Sequence, residues 1–501
     1  MLKKNITANL LGQIWSAVMK FAFIPLYIDI LGIQSYGLIG IFTLLQAWFI
    51  VLDFGLSPSI SRQMSLFNSG GISNTSIRDL LRSIEIVALM IAILIAIGVF
   101  LGADWLAKTL VKSSEFSSDE VKNAFIIMGI ISALRFYEGI YHNVIIGLEK
   151  QVLFNFINGL IHTLRSVGAL VVITWLDSTI IAFFIWQGVC SFLQTIILML
   201  VIYKILPVGN RGARFSIKSL QTIRMFAGGV LVITILSLIV AQVDKLVIAS
   251  YINLGEYGYY TLAATIASAL TMISAPIIQA VYPRLIGLVA ISDKDGLRSV
   301  YHLTSQLITI ATSSITFIIA IFSSDIVYLW TNNYNTSQET APILTIMIIG
   351  SFFSVLNQLP QSFQVAHNYL FIPLITNSLS LVILILMIIL ALPNYGVLGV
   401  AGAVAVTMAL ALFMSTWQIS RKMIKNKKIN IYLYDTILPM IGALIPVVLA
   451  FKFYSNYNLS RIEQVIFFSL LLFTSFLCSV IMATEFRPIL FQQVKKLMNY
   501  K

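Results

Sequence analysis

Residues 124–175 read AFIIMGIISALRFYEGIYHNVIIGLEKQVLFNFINGLIHTLRSVGALVVITW, and the rest of the chain is best read outward from them. The runs 124–148 and 153–175 are each long enough to cross a bilayer as a helix, which takes about 20 residues. Glu149-Lys150-Gln151 joins them so tightly that the two helices are expected to be antiparallel neighbours. Helical spacings of three, four and seven residues put side chains on one face. Arg135, Glu138 and His142 therefore form one stripe, and Asn155, Asn158, His162 and Arg165 form another. Arg135 and Arg165 lie equally far from Lys150, about 22 Å along each axis at about 1.5 Å per residue, so their guanidinium groups should share one level. A charge at that depth costs at least about 2.5–3.5 kcal/mol, which makes a functional group facing a cavity the first expectation. The bland alternative is a structural pair, Arg135 held by Glu138 on its own helix.

Composition agrees with a membrane setting. Of 501 residues, 58% are hydrophobic and 10% charged, and the mean hydropathy is +0.92. These values indicate an integral membrane protein and exclude a soluble domain with a large core. Fourteen apolar segments are long enough to span: 9–28, 37–57, 83–103, 124–148, 153–175, 180–203, 225–251, 258–282, 303–323, 341–366, 371–392, 397–419, 434–454 and 463–484. Lipid cannot satisfy open backbone groups, and nothing alternates like barrel strands, so all the spans are expected to be helices. Lys3-Lys4 and the apolar run after them resemble a signal peptide, but the run is too long and lacks a small-residue cleavage site, so it reads as an uncleaved first span. Cys190 and Cys478 both fall inside apolar segments and imply neither a disulfide framework nor a metal cluster.

The net charge of +12 could suggest nucleic acid, but its placement suggests membrane topology. With the N-terminus placed in the cytoplasm, 23 of the 32 Lys and Arg residues fall in inside segments, five fall outside, and four, Lys20, Arg135, Arg165 and Lys245, lie within spans. This asymmetry predicts an even number of spans with both termini cytoplasmic. The segment around 58–82 reads as an interfacial helix, and 104–122 as a solvated cap.

A weak internal repeat supports two lobes. Leu31-Gly32-Ile33-Gln34-Ser35-Tyr36-Gly37 after the first span resembles Leu254-Gly255-Glu256-Tyr257-Gly258 after the seventh, and 147–158 has a counterpart at 366–377. Six spans per repeat is even, so the repeats share orientation. The expected organisation is a six-helix lobe over 1–210, a second over 211–425, and two further helices with a tail over 426–501. Under that offset Lys20 maps beside Asp244-Lys245, as expected if both lobes face one cavity. Pro25, Pro276 and Pro360 mark candidate kinks, of which only some would be hinges.

The residues now carry a resemblance. Leu-Gly with Tyr-Gly after the first span, Leu52-Asp53-Phe54-Gly55-Leu56 with Arg62 beyond it, Gly147-Leu148-Glu149, Val243-Asp244-Lys245, and Tyr395-Gly396-Val397-Leu398-Gly399 occur here in order. Together they resemble the Wzx-type polysaccharide-export flippases of the multidrug/oligosaccharidyl-lipid/polysaccharide exporter superfamily, over nearly the whole chain. The resemblance implies a V-shaped pair of six-helix lobes in the inner membrane. It also implies movement of an undecaprenyl-pyrophosphate-linked O-antigen or capsule repeat unit to the outer leaflet, with a polymerase and a chain-length regulator as possible pathway partners.

The site chemistry fits such a substrate. Arg binds pyrophosphate oxygens bidentately and keeps its charge when desolvated. Lys20, Arg135, Arg165 and Lys245 are the candidate cationic substrate ligands, Asn158 is a further candidate substrate ligand, and Gln361 is a candidate for sugar hydroxyls. Asn357, Gln361 and Gln364 form one stripe, for which helix-to-helix hydrogen bonding is an equal alternative. Glu138, His142, His162 and Asp244 are candidates for a coupling or proton relay. Asp53 is expected to pair or cap. No cofactor, metal, nucleic-acid partner or catalytic residue is expected. A cation or drug exporter would want acidic residues in its cavity, and a lipid II flippase would share this pattern. A polymerase would want a large outer loop. Asp293-Lys294-Asp295 has a glycosyltransferase-like form but reads as solvated charge in a short basic loop. No GxxxxGK[ST] stretch suggests direct ATP drive.

Overall fold

The computed structural model describes residues 2–68, 70–207, 211–221, 224–367, 369, 371–422, 433–454 and 459–488. Among the inside-loop cations, Lys425, Lys427, Lys428, Lys495, Lys496 and Lys501 lie outside these residues. So do the side chains of Lys3, Lys4, Lys218, Arg224, Arg421 and Lys422.

The described chain is helical, with no strand among the described residues. Its helices are α1 (Leu2–Phe49), α2 (Leu56–Asn68), α3 (Asn74–Leu110), α4 (Ser118–Gly147), α5 (Gln151–Trp175), α6 (Ile180–Ile205), α7 (Ile217–Gln221), α8 (Arg224–Tyr251), α9 (Leu254–Ala290), α10 (Lys294–Ile321), α11 (Ser323–Thr331), α12 (Tyr334–Ala366), α13 (Phe371–Lys422), α14 (Leu438–Tyr454) and α15 (Arg461–Met482). Among the described residues, eleven helices are long and apolar enough to cross a membrane. Two of these, α1 and α13, each hold two of the expected spans, because the chain turns inside them at Gly32 (φ 80°) and Gly396 (φ 54°). Both glycines occupy the left-handed region that a side chain enters only at a cost. With α8, which runs through the seventh expected segment, these make up the fourteen spans.

Several helix starts are fixed by side chains at the water-facing ends. Ser117 and Glu120 form a capping box at α4, and Ser460 and Glu463 form one at α15. Asp293 accepts from Gly296 N at the start of α10, so the Asp-Lys-Asp stretch serves as a helix cap. Asp53 accepts from the amide and hydroxyl of Ser57 at the start of α2. These side chains satisfy amides that the first helical turn leaves without partners.

Contacts group the chain into two units, Met1–Gly258 and Tyr259–Lys501. In the first, α4 packs on α3 and α6, α5 packs on α1 and α6, and α2 lies against α4. The α8 helix packs on α1, α2 and α3. In the second unit α12 packs on α13, and α10 packs on α12, α14 and α15. A buried Gln306 on α10 ties down the last two helices. Its amide nitrogen donates to Asp435 Oδ1 (3.0 Å) and Thr484 Oγ1 (3.1 Å), and its oxygen accepts from the amides of Glu485 and Phe486.

Loops expected on one side of the membrane meet at one end of the first unit. Gln34 bonds Ser113 and Ser114, and Lys112 bonds the backbone of Tyr251 and Leu254. At the opposite end Asp79 holds Arg211 and the Arg214 amide, Ser83 holds Ser216, and Ser65 bonds Gly147 O.

Candidate functional site

The polar stripes of α4 and α5 converge against a third stripe on α6. Arg135 donates through Nη1 to Gln46 Oε1 (2.9 Å), through Nη2 to Gln187 Oε1 (3.1 Å) and through Nε to Ser191 Oγ (3.2 Å). Arg165 Nη2 donates to the same Ser191 Oγ (3.3 Å) and to Gln194 Oε1 (3.1 Å). Gln194 in turn donates to Asn158 Oδ1 (3.1 Å). The two guanidinium groups thus stand at one level and share a single hydroxyl oxygen. The Arg135 guanidinium also lies 5.1 Å from the centre of the Phe42 ring, a cation–π distance.

The partners of the two arginines are neutral. Among the described residues neither arginine forms an ion pair. Glu138 is the acidic group whose charge acts on both, yet Arg135 spends its hydrogen bonds on amide and hydroxyl oxygens, so the Glu138-held pair considered from sequence is not what fixes it. Every amide oxygen in the cluster is engaged, while Arg165 Nε and Gln46 Nε2 are buried donors with no protein acceptor. A buried donor left unpaired costs about 1–3 kcal/mol. The cluster therefore has N–H groups in excess of its acceptors.

The other candidates are placed less centrally. Lys20 is exposed, with its ammonium 5.8 Å from the Phe21 ring centre. Neighbours in a helix point about 100° apart, yet the Lys245 ammonium approaches Asp244 Oδ1 at 3.8 Å and also donates to Ala241 O. The long Lys stem curls back along the helix to satisfy both. His142 stacks flat on Phe154 at 4.2 Å, an apolar contact, while His162 is half-buried on the α5 stripe. In the second unit Gln361 donates to Asn377 Oδ1 (3.4 Å), Gln364 to Ser415 O, and Asn357 is buried with a free Oδ1. That polar stripe is used at least in part between helices.

The acceptors are absent from the residues expected from sequence. Gln187, Ser191 and Gln194 recur at spacings of four and three in the otherwise apolar α6, and that pattern was available. Gln46, isolated in the second arm of α1, carried no such signal.

Long apolar helices that hold two arginines without an ion pair among the described residues make this a multi-pass membrane protein. It belongs to the polysaccharide biosynthesis protein family, whose model matches residues 2–289. It is similar to a "Putative O-antigen transporter" of Shigella flexneri, 22% identical over 83% of this chain and 97% of that one. Its fold resembles the inward closed structure of the lipid II flippase MurJ, with TM-score 0.74, 15% identity and coverage of 97% and 98% of the two chains. It also resembles a single-residue mutant of the Vibrio cholerae MATE transporter VcmN, with TM-score 0.61, 15% identity and coverage of 86% and 98%.

Proposed function

We propose that this protein flips an undecaprenyl-pyrophosphate-linked oligosaccharide, an O-antigen or capsule repeat unit, from the cytoplasmic to the periplasmic leaflet of the inner membrane. The observation that carries this reading is the Arg135–Ser191–Arg165 cluster, with two cations, no carboxylate bonded to either among the described residues, and buried donors awaiting acceptors. A pyrophosphate is rich in acceptor oxygens and negative charge, and paired guanidinium forks suit it. Lys20 and Lys245 add positive charge for the head group, Asn158 and Gln361 take sugar hydroxyls, and the prenyl tail stays in lipid. Glu138, His142, His162 and Asp244 are the groups proposed to relay protons. The Shigella flexneri relative, named a "Putative O-antigen transporter", supports the substrate class, and the excess of inside Lys and Arg supports two cytoplasmic termini.

The protein acts by alternating access without chemistry on its cargo and needs no cofactor. A polymerase and a chain-length regulator would use the product. The cluster disfavours a drug or cation antiporter, since cationic cargo would meet two unneutralised arginines. Deleting the gene tests the reading. The expected outcome is loss of surface polysaccharide, with the lipid-linked repeat unit accumulating on the cytoplasmic leaflet. Lysis on depletion, with surface polymer intact, would point to lipid II as cargo. Sensitivity to cationic drugs alone would overturn the flippase reading.

A further inference from the structure

The second unit holds a polar cavity that the proposed transport does not use. Its volume is about 420 Å³, within the range of about 300–1,000 Å³ for small-molecule sites. Asp295, Arg298 and His302 line it from the first turns of α10, Tyr434 and Asp435 from the helical turn Leu433–Ile437 that leads into α14, and Glu485 from the chain just past α15. The Lys and Arg distribution would place this end of the unit at the cytoplasmic surface. The floor of the cavity is satisfied from within. Asp435 is 1% exposed, with Oδ1 accepting from Gln306 Nε2 and Oδ2 lying 2.5 Å from His302 Nδ1. Arg298 Nε donates to His302 Nε2 (3.4 Å). A guanidinium only donates, so His302 Nε2 accepts and Nδ1 carries the hydrogen given to Asp435.

The walls are different. Among the described residues the Arg298 Nη1 and Nη2 groups, the Asp295 and Glu485 carboxylates and the Tyr434 hydroxyl make no hydrogen bond and no ion pair. A fork of N–H donors and two carboxylates therefore line one space as separate, opposite charges. This lining selects its ligand. An anion would meet two free carboxylates, and a simple cation would meet the guanidinium. A zwitterion with a phosphate and a primary ammonium answers both. The planar fork matches phosphate oxygens, and an ammonium supplies three donors for Asp295 and Glu485. A quaternary ammonium has none to give. The neighbouring surface points to the source of such a ligand. Ile437 and Ile441 follow Tyr434 at helical spacing, Leu477 and Ile481 precede Glu485 in the same way, and all four are exposed. Two apolar stripes on membrane-crossing helices thus run down to the cavity, as the acyl chains of a lipid require when its head sits inside.

We propose that this cavity binds the head group of an inner-leaflet phospholipid that carries phosphoethanolamine. The phosphate sits on the Arg298 fork, the ammonium lies between Asp295 and Glu485, and the acyl chains follow α14 and α15. The bound lipid joins α10 to the last two helices. This assignment is independent of the flippase reading.

The test uses the purified full chain, delipidated in detergent, with lipids of identical short chains added and the bound species counted by native mass spectrometry. Phosphatidylethanolamine should be retained about tenfold better than phosphatidylglycerol or phosphatidylcholine, the equivalent of one charge-assisted hydrogen bond. Arg298→Gln, and Asp295→Asn combined with Glu485→Gln, should each remove that preference. Asp295→Lys combined with Glu485→Lys should turn it toward phosphatidylglycerol. Ser299 also lines the cavity, and Ser299→Trp should exclude the lipid without changing a charge, which decides the matter where a charge variant does not assemble. Equal retention of the three lipids by the wild type, an unchanged preference in the variants, or displacement of the lipid by an equimolar amount of soluble O-phosphoethanolamine overturns the assignment.

Discussion

Ser191 is a small residue with an unusual burden, since one hydroxyl oxygen accepts from both arginines. Hydrogen bonds to charged groups contribute about 1.5–3 kcal/mol each. Ser191→Ala should therefore lower the melting temperature of the purified protein and reduce export, whereas Ser191→Gly should do so further by opening the helix contact. Arg135→Ala and Arg165→Ala should each abolish export while the protein remains in the membrane, read as surface polysaccharide against membrane abundance. Lysine at either position keeps the charge but loses the planar fork, so export should fall by about tenfold or more, the equivalent of one charge-assisted hydrogen bond. Normal polysaccharide in both alanine variants would remove the site. The two arginines were readable from the sequence because charge in an apolar run is conspicuous. Their acceptors were not singled out, since glutamine and serine are tolerated in membrane helices for many reasons.

At the scale of elements, the repeated Leu-Gly and Tyr-Gly segments acquire a physical meaning. A Cβ on Gly37 would stand 2.6 Å from Leu254 O, and a Cβ on Gly258 would stand 2.5 Å from Ile33 O. Each copy of the motif thus uses its second glycine to admit the backbone of the other copy, and Tyr36 and Tyr257 are buried beside the contact. Backbone cannot give way as a flexible side chain can. Gly37→Ala and Gly258→Ala should each destabilise the fold by about 1–3 kcal/mol, the usual cost of forcing extra volume into a packed contact. Thermal denaturation in detergent checks this, and wild-type melting in both would show that the turns are free to separate. Gly32→Ala should cost about 1–2 kcal/mol for a different reason, a left-handed backbone with no neighbour to relieve. Gln306 is the corresponding device in the second unit. Gln306→Leu removes its side-chain hydrogen bonds to Asp435, Thr484, Glu485 and Phe486, so protease cleavage after residue 433 should become markedly faster.

Over the whole molecule, the distribution of Lys and Arg makes a prediction about sidedness. With Cys190 and Cys478 replaced, a cysteine at Ser113 or Asn253 should react with a membrane-impermeant thiol reagent added to intact cells, and one at Ser65 or Arg211 should not. Labelling in the opposite sense would invert the topology. That the chain spans the membrane, roughly where each helix lies, and that charge sits deep in the fourth and fifth spans are all legible in the order of residues alone. These properties follow from the apolar length a bilayer requires and from the cost of charge within it, which act on each segment separately. What those charges meet was set by helix packing. It joined Arg135 to Arg165 through Ser191, stacked His142 on Phe154, folded Lys245 back to Asp244, and gathered three tyrosines around Glu85. Such pairings depend on which faces of separate helices come together, and helical periodicity assigns a residue to a face without naming the neighbour across from it.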